Sequence, residues 1–307
     1  MDTLRDQFAA MGTTVEVTLV GGDASLLTIA RGRIRDLERR WSRFIPSSEV
    51  SRLNAADGRP LRVSPETIEL VTLAREGARL TGGRYHPLVL PALEAAGYRD
   101  TFAALDRPVA GDAPIAIPDA AAIVVDPERR TVTLPVGAGF DPGGIGKGLA
   151  ADLVADEMLR LGARGVCVNV GGDLRVDGAA PGPGDAWLIA VRDDPSDEPV
   201  AHVAIAHGAM ATTSRSRRRW QTAAGDERHH VIDPATGQSS RTPVIHATVI
   251  AGQAWRAEVL SKVAFLDRAS GIDLVESLGA TAMVVTEVGT VVGPGWSTFA
   301  RELEAIG

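Results

Sequence analysis

The feature that most constrains this chain is the run from Gly139 to Gly178, GFDPGGIGKGLAADLVADEMLRLGARGVCVNVGGDLRVDG. Gly143, Gly144 and Gly146 precede Lys147, and Gly148 follows it. Glycines at that density let the backbone turn tightly and bring bare N–H groups close to a ligand. The apolar positions Leu149, Ala150, Leu153, Val154, Met158 and Leu161 then fall on one helical stripe. A helix that opens at such a loop favours an anion at its start, and Lys147 adds a point charge there. Residues 165–170 read as a buried strand, and Gly171-Gly172-Asp173 as the turn at its end. The lysine lacks the Ser or Thr and the frame of a P-loop, and the glycines do not give G-x-G-x-x-G. Spacing alone leaves two readings, an anion-binding loop or a purely structural glycine turn.

A net charge of −7 argues against nucleic acid or an anionic membrane surface as the main partner. The basic run Arg215, Arg217, Arg218 and Arg219 is the local exception. It reads as a phosphate clamp or, preferably, as a solvated rim. Cys167 is the single cysteine, so no intramolecular disulfide forms and a reducing compartment is favoured. The first residues hold no apolar signal region and no cysteine placed for lipid attachment, and no later stretch has the length of a membrane span. As given, the chain is expected to be cytoplasmic, or to have had a leader removed.

Along the chain, residues 13–20 alternate as a half-buried strand, and residues 24–42 form a helix with Leu26, Ile29, Ile34, Leu37 and Trp41 inward. Ser48 caps a short helix, and Ser64 caps a longer one that starts at Pro65 and runs to about Thr81. Residues 84–98 form a proline-rich loop, and residues 100–120 an aperiodic surface loop. Strands are expected at 123–126, 131–135, 187–192, 200–206 and 248–251, with a polar turn at 193–198. A helix covers 255–266, a helix end 274–279, and a closing hairpin 281–286 and 290–293. Short strands, hairpins and helices together predict an α+β fold.

The wording of three segments goes further than their periodicity. The loop at 141–152 (DPGGIGKGLAAD), the turn at 169–173 (NVGGD) and the turn at 230–237 (HVIDPATG) resemble the signature of the FAD:protein FMN transferase (ApbE) family. Weaker matches, from Met11-Gly12-Thr13 to the final hairpin, extend the resemblance over nearly the whole chain. It implies one ApbE-like flavin transferase domain over residues 1–307, with mixed or antiparallel sheets, flanking helices and two lobes around a central FAD cleft. The implied reaction cleaves FAD and attaches FMN to a Thr or Ser of an acceptor flavoprotein, releasing AMP. The alternatives are an FAD-binding protein without transfer and an FAD pyrophosphatase. Exported lipoproteins occur among the relatives.

Carried onto this chain, the resemblance places Met11, Tyr85, Ala95, Ala96, Gly97, Asp141, Gly143, Lys147, Asp173, Thr212, Thr213 and Ile232 at the cofactor. It makes His230, Asp233 and Lys147 the catalytic candidates. It also implies Mg²⁺, held by the Gly144 carbonyl and by an Asp and a Thr four residues on in one helix. Here Glu258 stands for the aspartate and Lys262 for the threonine, with Ser261 beside them. A glutamate ligates a hard cation. An ammonium carries only donors and cannot. The pair is therefore either a surface i,i+4 ion pair or a lysine crowding the metal position and neutralising phosphate itself.

Overall fold

Eight strands form one fully antiparallel sheet whose order in space repeats their order in the chain. They are Thr3–Ala10, Thr13–Val20, Gly165–Val170, Asp173–Gly178, Gly208–Ser214, Val244–Ala251, Thr281–Thr286 and Gly289–Val292. The first two form a hairpin closed by Met11 and Gly12, with φ of 53° and 67°. Positive φ at both central residues gives the turn the twist that neighbouring strands need. Met11 therefore sits in a two-residue hairpin turn, with an additional strand before it, and not at a plain strand start. The computed structural model describes residues 2–99, 114–192, 198–216, 218–222, 225 and 227–301. Most of the loop expected at 100–120, the core of the turn at 193–198, and Arg217 lie outside them.

Seven α-helices are described: α1 Ser25–Trp41, α2 Glu49–Asn54, α3 Pro65–Leu80, α4 Leu90–Ala95, α5 Gly146–Arg160, α6 Ala254–Leu266 and α7 Arg268–Ser277. In α1, Leu26, Ala30, Ile34, Leu37 and Trp41 are buried, whereas Ile29 stays 40% exposed. The inward stripe follows Ala30 in place of Ile29 because the i, i+4 spacing puts alanine on the core side. The caps of α2 and α3 form as the sequence indicates: Ser48 accepts from the Ser51 amide and Ser64 from the Thr67 amide. α4 is an addition inside the segment expected to be loop; Pro91 sits in its first turn, where no amide is required. Leu161 lies beyond the end of α5 and is exposed, so it leaves the predicted stripe.

The described chain divides into two compact units, Met1–Arg35 with Lys147–Ser214 and Val244–Gly307, and Asp36–Gly146 with Arg215–Pro243. The first holds the large sheet. On one face of the sheet, Val20, Leu174, Val176, Met210, Ile250 and Met283 pack with Trp187, Val203 and Ile205 of a second, three-stranded sheet and with Trp296. α6 lies against the strands Gly208–Ser214 and Val244–Ala251. It is buried nearly all round, Glu258 included, as a core helix must be. The second unit is assembled from α2, α3, α4, a three-stranded sheet and two short hairpins. Ala92, Leu93, Ala96, Tyr98, Trp220 and Ile232 form one of its cores.

Candidate functional site

In the first unit, the beginnings of α5 and α6 touch. Within the segment preceding α5, Asp141 caps a single 3-10 turn, Pro142–Gly144, by accepting the Gly143 amide at 2.6 Å. The helix then starts at Gly146, earlier than the apolar stripe suggests, so Lys147 and Gly148 belong to its first turn. A Cβ on Gly148 would lie 2.3 Å from the Ala254 carbonyl oxygen, and only glycine permits that approach. Each helix then caps the other. Asp152 of α5 accepts the Ala254 and Trp255 amides at 2.8 and 2.9 Å, while Gln253, the N-cap residue of α6, makes no side-chain cap. Glu258 of α6 returns the contact by accepting the Gly148 amide at 2.8 Å. Two positive dipole ends thus converge on carboxylates.

Lys147 joins this junction to the sheet. Its Nζ donates to Glu258 Oε1 at 2.8 Å and to Asp173. Asp173 opens its strand after Gly171 and Gly172, whose φ values of 66° and 100° suit glycine. Burial pushes the Asp173 carboxyl up to about 6, with Lys147 pulling against it. Burial also raises Glu258, but Lys147, Lys262 and the Gly148 amide outweigh it and hold that carboxyl below its ordinary value. Lys147 itself is raised, because Asp173 and Glu258 overcome its desolvation. Lys262 Nζ donates to the Glu258 backbone carbonyl at 3.1 Å and lies 3.9 Å from Glu258 Oε1. Ser261 Oγ donates to the same carbonyl at 2.9 Å and pairs with Thr213 Oγ1 at 2.7 Å. Thr212 Oγ1 pairs with Thr248 at 2.9 Å. Glu258 is 1% exposed, so its interaction with Lys262 is not the surface ion pair considered above.

In the second unit the predicted residues take on structural work. Asp141 is 7% exposed and pairs with the equally buried Arg43 at 3.0 Å. The Arg43 guanidinium lies 4.2 Å from the Phe44 ring centre and 4.6 Å from that of Tyr98. Tyr98 in turn stands 5.9 Å from Trp220, whose indole N–H donates to the Ala96 carbonyl at 2.8 Å. Tyr85 is buried, and Ile232 sits in the core with Trp220. A Cβ on Gly143 would lie 2.6 Å from Asp141 Oδ1. Ala95 ends α4, Gly97 follows at φ 106°, and Gly144 closes the 3-10 turn. His230 is half-buried, its amide donating to the Arg218 carbonyl, and Asp233 accepts the Ala235 amide at 2.9 Å in a tight turn. Arg219 pairs with Glu227 at 3.6 Å with both side chains largely exposed, in keeping with a solvated rim.

Arg43 and Asp152 are site-building residues that the sequence reading did not single out, and Trp220, which follows the basic run, packs in the core in place of a rim. Asp152 was legible, since it closes the loop motif at 141–152. Nothing local marks Arg43, whose partners Tyr98 and Asp141 are distant in sequence.

His229, next to the candidate His230, gives the unit a pH dependence. Burial lowers its imidazole from 6.5 to about 4, and Nδ1 accepts the Val231 amide at 3.3 Å. Between those values the unfolded chain binds the proton more tightly. Stability is therefore fully present above about pH 6.5 and is lost as pH falls toward 4, by up to about 3 kcal/mol. Urea unfolding at pH 7 and pH 5 measures this loss. His229→Asn, whose Oδ1 can replace the acceptor, is expected to flatten it; parallel losses in both proteins would assign it elsewhere.

The sequence profile of the ApbE family matches residues 11–285. The chain belongs to the ApbE family. An FAD:protein FMN transferase of Klebsiella pneumoniae is 30% identical over 270 residues, covering 81% of this chain and 74% of the relative. One from Vibrio cholerae is 26% identical, covering 78% and 74%. Among solved structures, an ApbE protein from Thermotoga maritima superposes with a TM-score of 0.87 at 24% identity, covering 98% of this chain and 100% of the other. The Pseudomonas stutzeri flavinyl transferase ApbE, in its apo form, gives 0.80 at 22% identity, covering 97% and 96%. At these identities the structural likeness establishes the ApbE fold, an α+β arrangement as expected. The resemblance also implied Mg²⁺. Among the described residues no group of three or more His, Cys, Asp or Glu could hold an ion.

Proposed function

We propose that this chain is an FAD:protein FMN transferase. Family membership over residues 11–285 supports the reading, and the observation that carries it is Lys147, held between Asp173 and Glu258 where two helix N-termini meet. A pyrophosphate presents dense negative charge, and preorganised ammonium and amide donors stabilise it most where water is excluded. Lys147 is 21% exposed in its side chain, so its charge is oriented by the carboxylates yet remains reachable. In the reaction proposed, a Thr or Ser oxygen of an acceptor flavoprotein attacks the FMN-side phosphorus. The P–O–P bond breaks, and AMP leaves with the bridging oxygen. His230 and Asp233 are the proposed acceptors of the hydroxyl proton. The flavin contacts proposed for Met11, Tyr85, Ala95–Gly97, Asp141, Gly143, Thr212, Thr213 and Ile232 belong to the same reading.

Magnesium, the other cofactor of the resemblance, does not fit the residues of α6. Lys262 offers only donors at the position of the expected oxygen ligand, and the Lys147 and Lys262 ammonium groups lie 2.8 and 3.9 Å from Glu258 Oε1.

The test is the intact mass of an acceptor flavoprotein domain after incubation with this protein and FAD. A gain of one FMN, with AMP released in equal amount, is the expected result. AMP release without any mass gain would identify a pyrophosphatase. FAD binding with neither product would identify a binding protein and overturn the proposal.

A further inference from the structure

We propose that Lys262 supplies the positive charge that a divalent cation would otherwise bring to this cluster, so that the chain works without divalent metal. The inference rests on the transferase reading for its activity arm and on the cluster's geometry for the rest. Four charged side chains meet in the first unit, Asp173 and Glu258 against Lys147 and Lys262. Both carboxylates are deeply buried, at 3% and 1% exposure, whereas the lysine side chains are 21% and 19% exposed. Two negative and two positive charges sum to zero, so the buried carboxylates are already compensated. A divalent ion placed on Glu258 would lie against two ammonium groups, one 2.8 Å and the other 3.9 Å from Oε1. Repulsion at such separations is costly in a weakly screened interior.

The neighbouring groups point the same way. Glu258 Oε2 is taken by the Gly148 amide at 2.8 Å. Ser261, the adjacent hydroxyl, donates to the Glu258 carbonyl and pairs with Thr213. Hard cations require several oxygen ligands, and Lys262, one turn along α6 from Glu258, brings an ammonium where a further oxygen would be needed. What the cluster offers outward is two partly exposed ammonium groups beside two helix starts. That arrangement suits a phosphate or pyrophosphate anion directly. Lys262 is held by the Glu258 backbone carbonyl at 3.1 Å, which directs its ammonium.

Removing the Lys262 charge should turn the cluster into a cation site, because Asp173 and Glu258 would then face Lys147 alone. Mn²⁺, followed by its paramagnetic resonance signal, is the probe. The wild-type protein is expected to leave the Mn²⁺ signal free. Lys262→Thr is expected to take up one equivalent, and Glu258→Gln in that background to lose it. Lys262→Gln, which also brings an oxygen, serves as the second variant, and far-UV circular dichroism checks that each protein folds. In the activity arm, FMN transfer by wild type proceeds at equal rates in Mg²⁺ and in EDTA. Transfer by Lys262→Thr falls at least about tenfold in EDTA and recovers with Mg²⁺, while Lys262→Arg stays indifferent to EDTA. Stoichiometric Mn²⁺ uptake by wild type, loss of wild-type transfer in EDTA, or failure of both folded variants to gain Mn²⁺ would each overturn the proposal. If no acceptor is modified under any condition, the transferase reading fails, and Mn²⁺ uptake alone still decides whether Lys262 fills a cation position.

Discussion

Lys147→Met lowers FMN transfer by about 10²–10³-fold, the loss found when one preorganised donor to a developing anion is removed. The methionine keeps the apolar stem as far as Cε and deletes the ammonium. Two effects are expected and can be separated. Asp173 and Glu258 are buried and both lose their shared partner. Breaking a buried pair from one side costs about 3–5 kcal/mol, so the variant melts earlier and must be assayed well below its midpoint. FAD affinity, measured by fluorescence titration, then divides the activity loss between binding and the chemical step. Lys147→Arg keeps the charge but carries a planar head too wide for the space between two carboxylates, so partial recovery is the expected result. Transfer by the folded Lys147→Met protein at the wild-type rate would remove Lys147 from the mechanism.

Gly148→Ala destabilises the fold more than its single methyl suggests. The added Cβ would stand 2.3 Å from the Ala254 carbonyl oxygen and 2.8 Å from the Trp255 nitrogen, and both are backbone atoms that cannot rotate away. The start of α5 must move off the start of α6. That movement stretches the Gly148 amide bond to Glu258 and both amide bonds to Asp152. Overpacking alone costs about 1–3 kcal/mol, and each buried amide left without its acceptor adds about 1–3 kcal/mol. Thermal melting and urea unfolding measure the sum. Because Lys147 and Glu258 lie in the same displaced segments, FMN transfer should fall further than stability accounts for at a temperature where the variant is folded. A variant with wild-type stability and transfer would show that α5 and α6 tolerate separation, and that the reciprocal caps do not hold the lysine in place.

Much of this architecture was legible in the amino-acid order. Local chemistry determined the caps at Ser48 and Ser64, the helix after the glycine loop, the strand at Gly165–Val170 and the closing hairpin, because capping and periodicity act within a few residues. The motifs at 141–152, 169–173 and 230–237 were enough to suggest the family that the sequence profile then established. Other features needed the folded chain. The strand Thr3–Ala10 carries Arg5, Asp6 and Gln7, and becomes a strand through pairing with Thr13–Val20. α4 interrupts a segment whose prolines suggested loop. The burial of Glu258 is the clearest case. As sequence, Glu258 and Lys262 look like any helical i,i+4 pair. Glu258 is buried because α6 packs into the core, and its carboxylate accepts an amide 110 residues away and an ammonium 111 residues away. The sequence determined which charges exist and the local elements that carry them. Only the tertiary structure decided that two helix starts, two carboxylates and two lysines share one place, since charge compensation in a buried cluster depends on distances that no local pattern encodes.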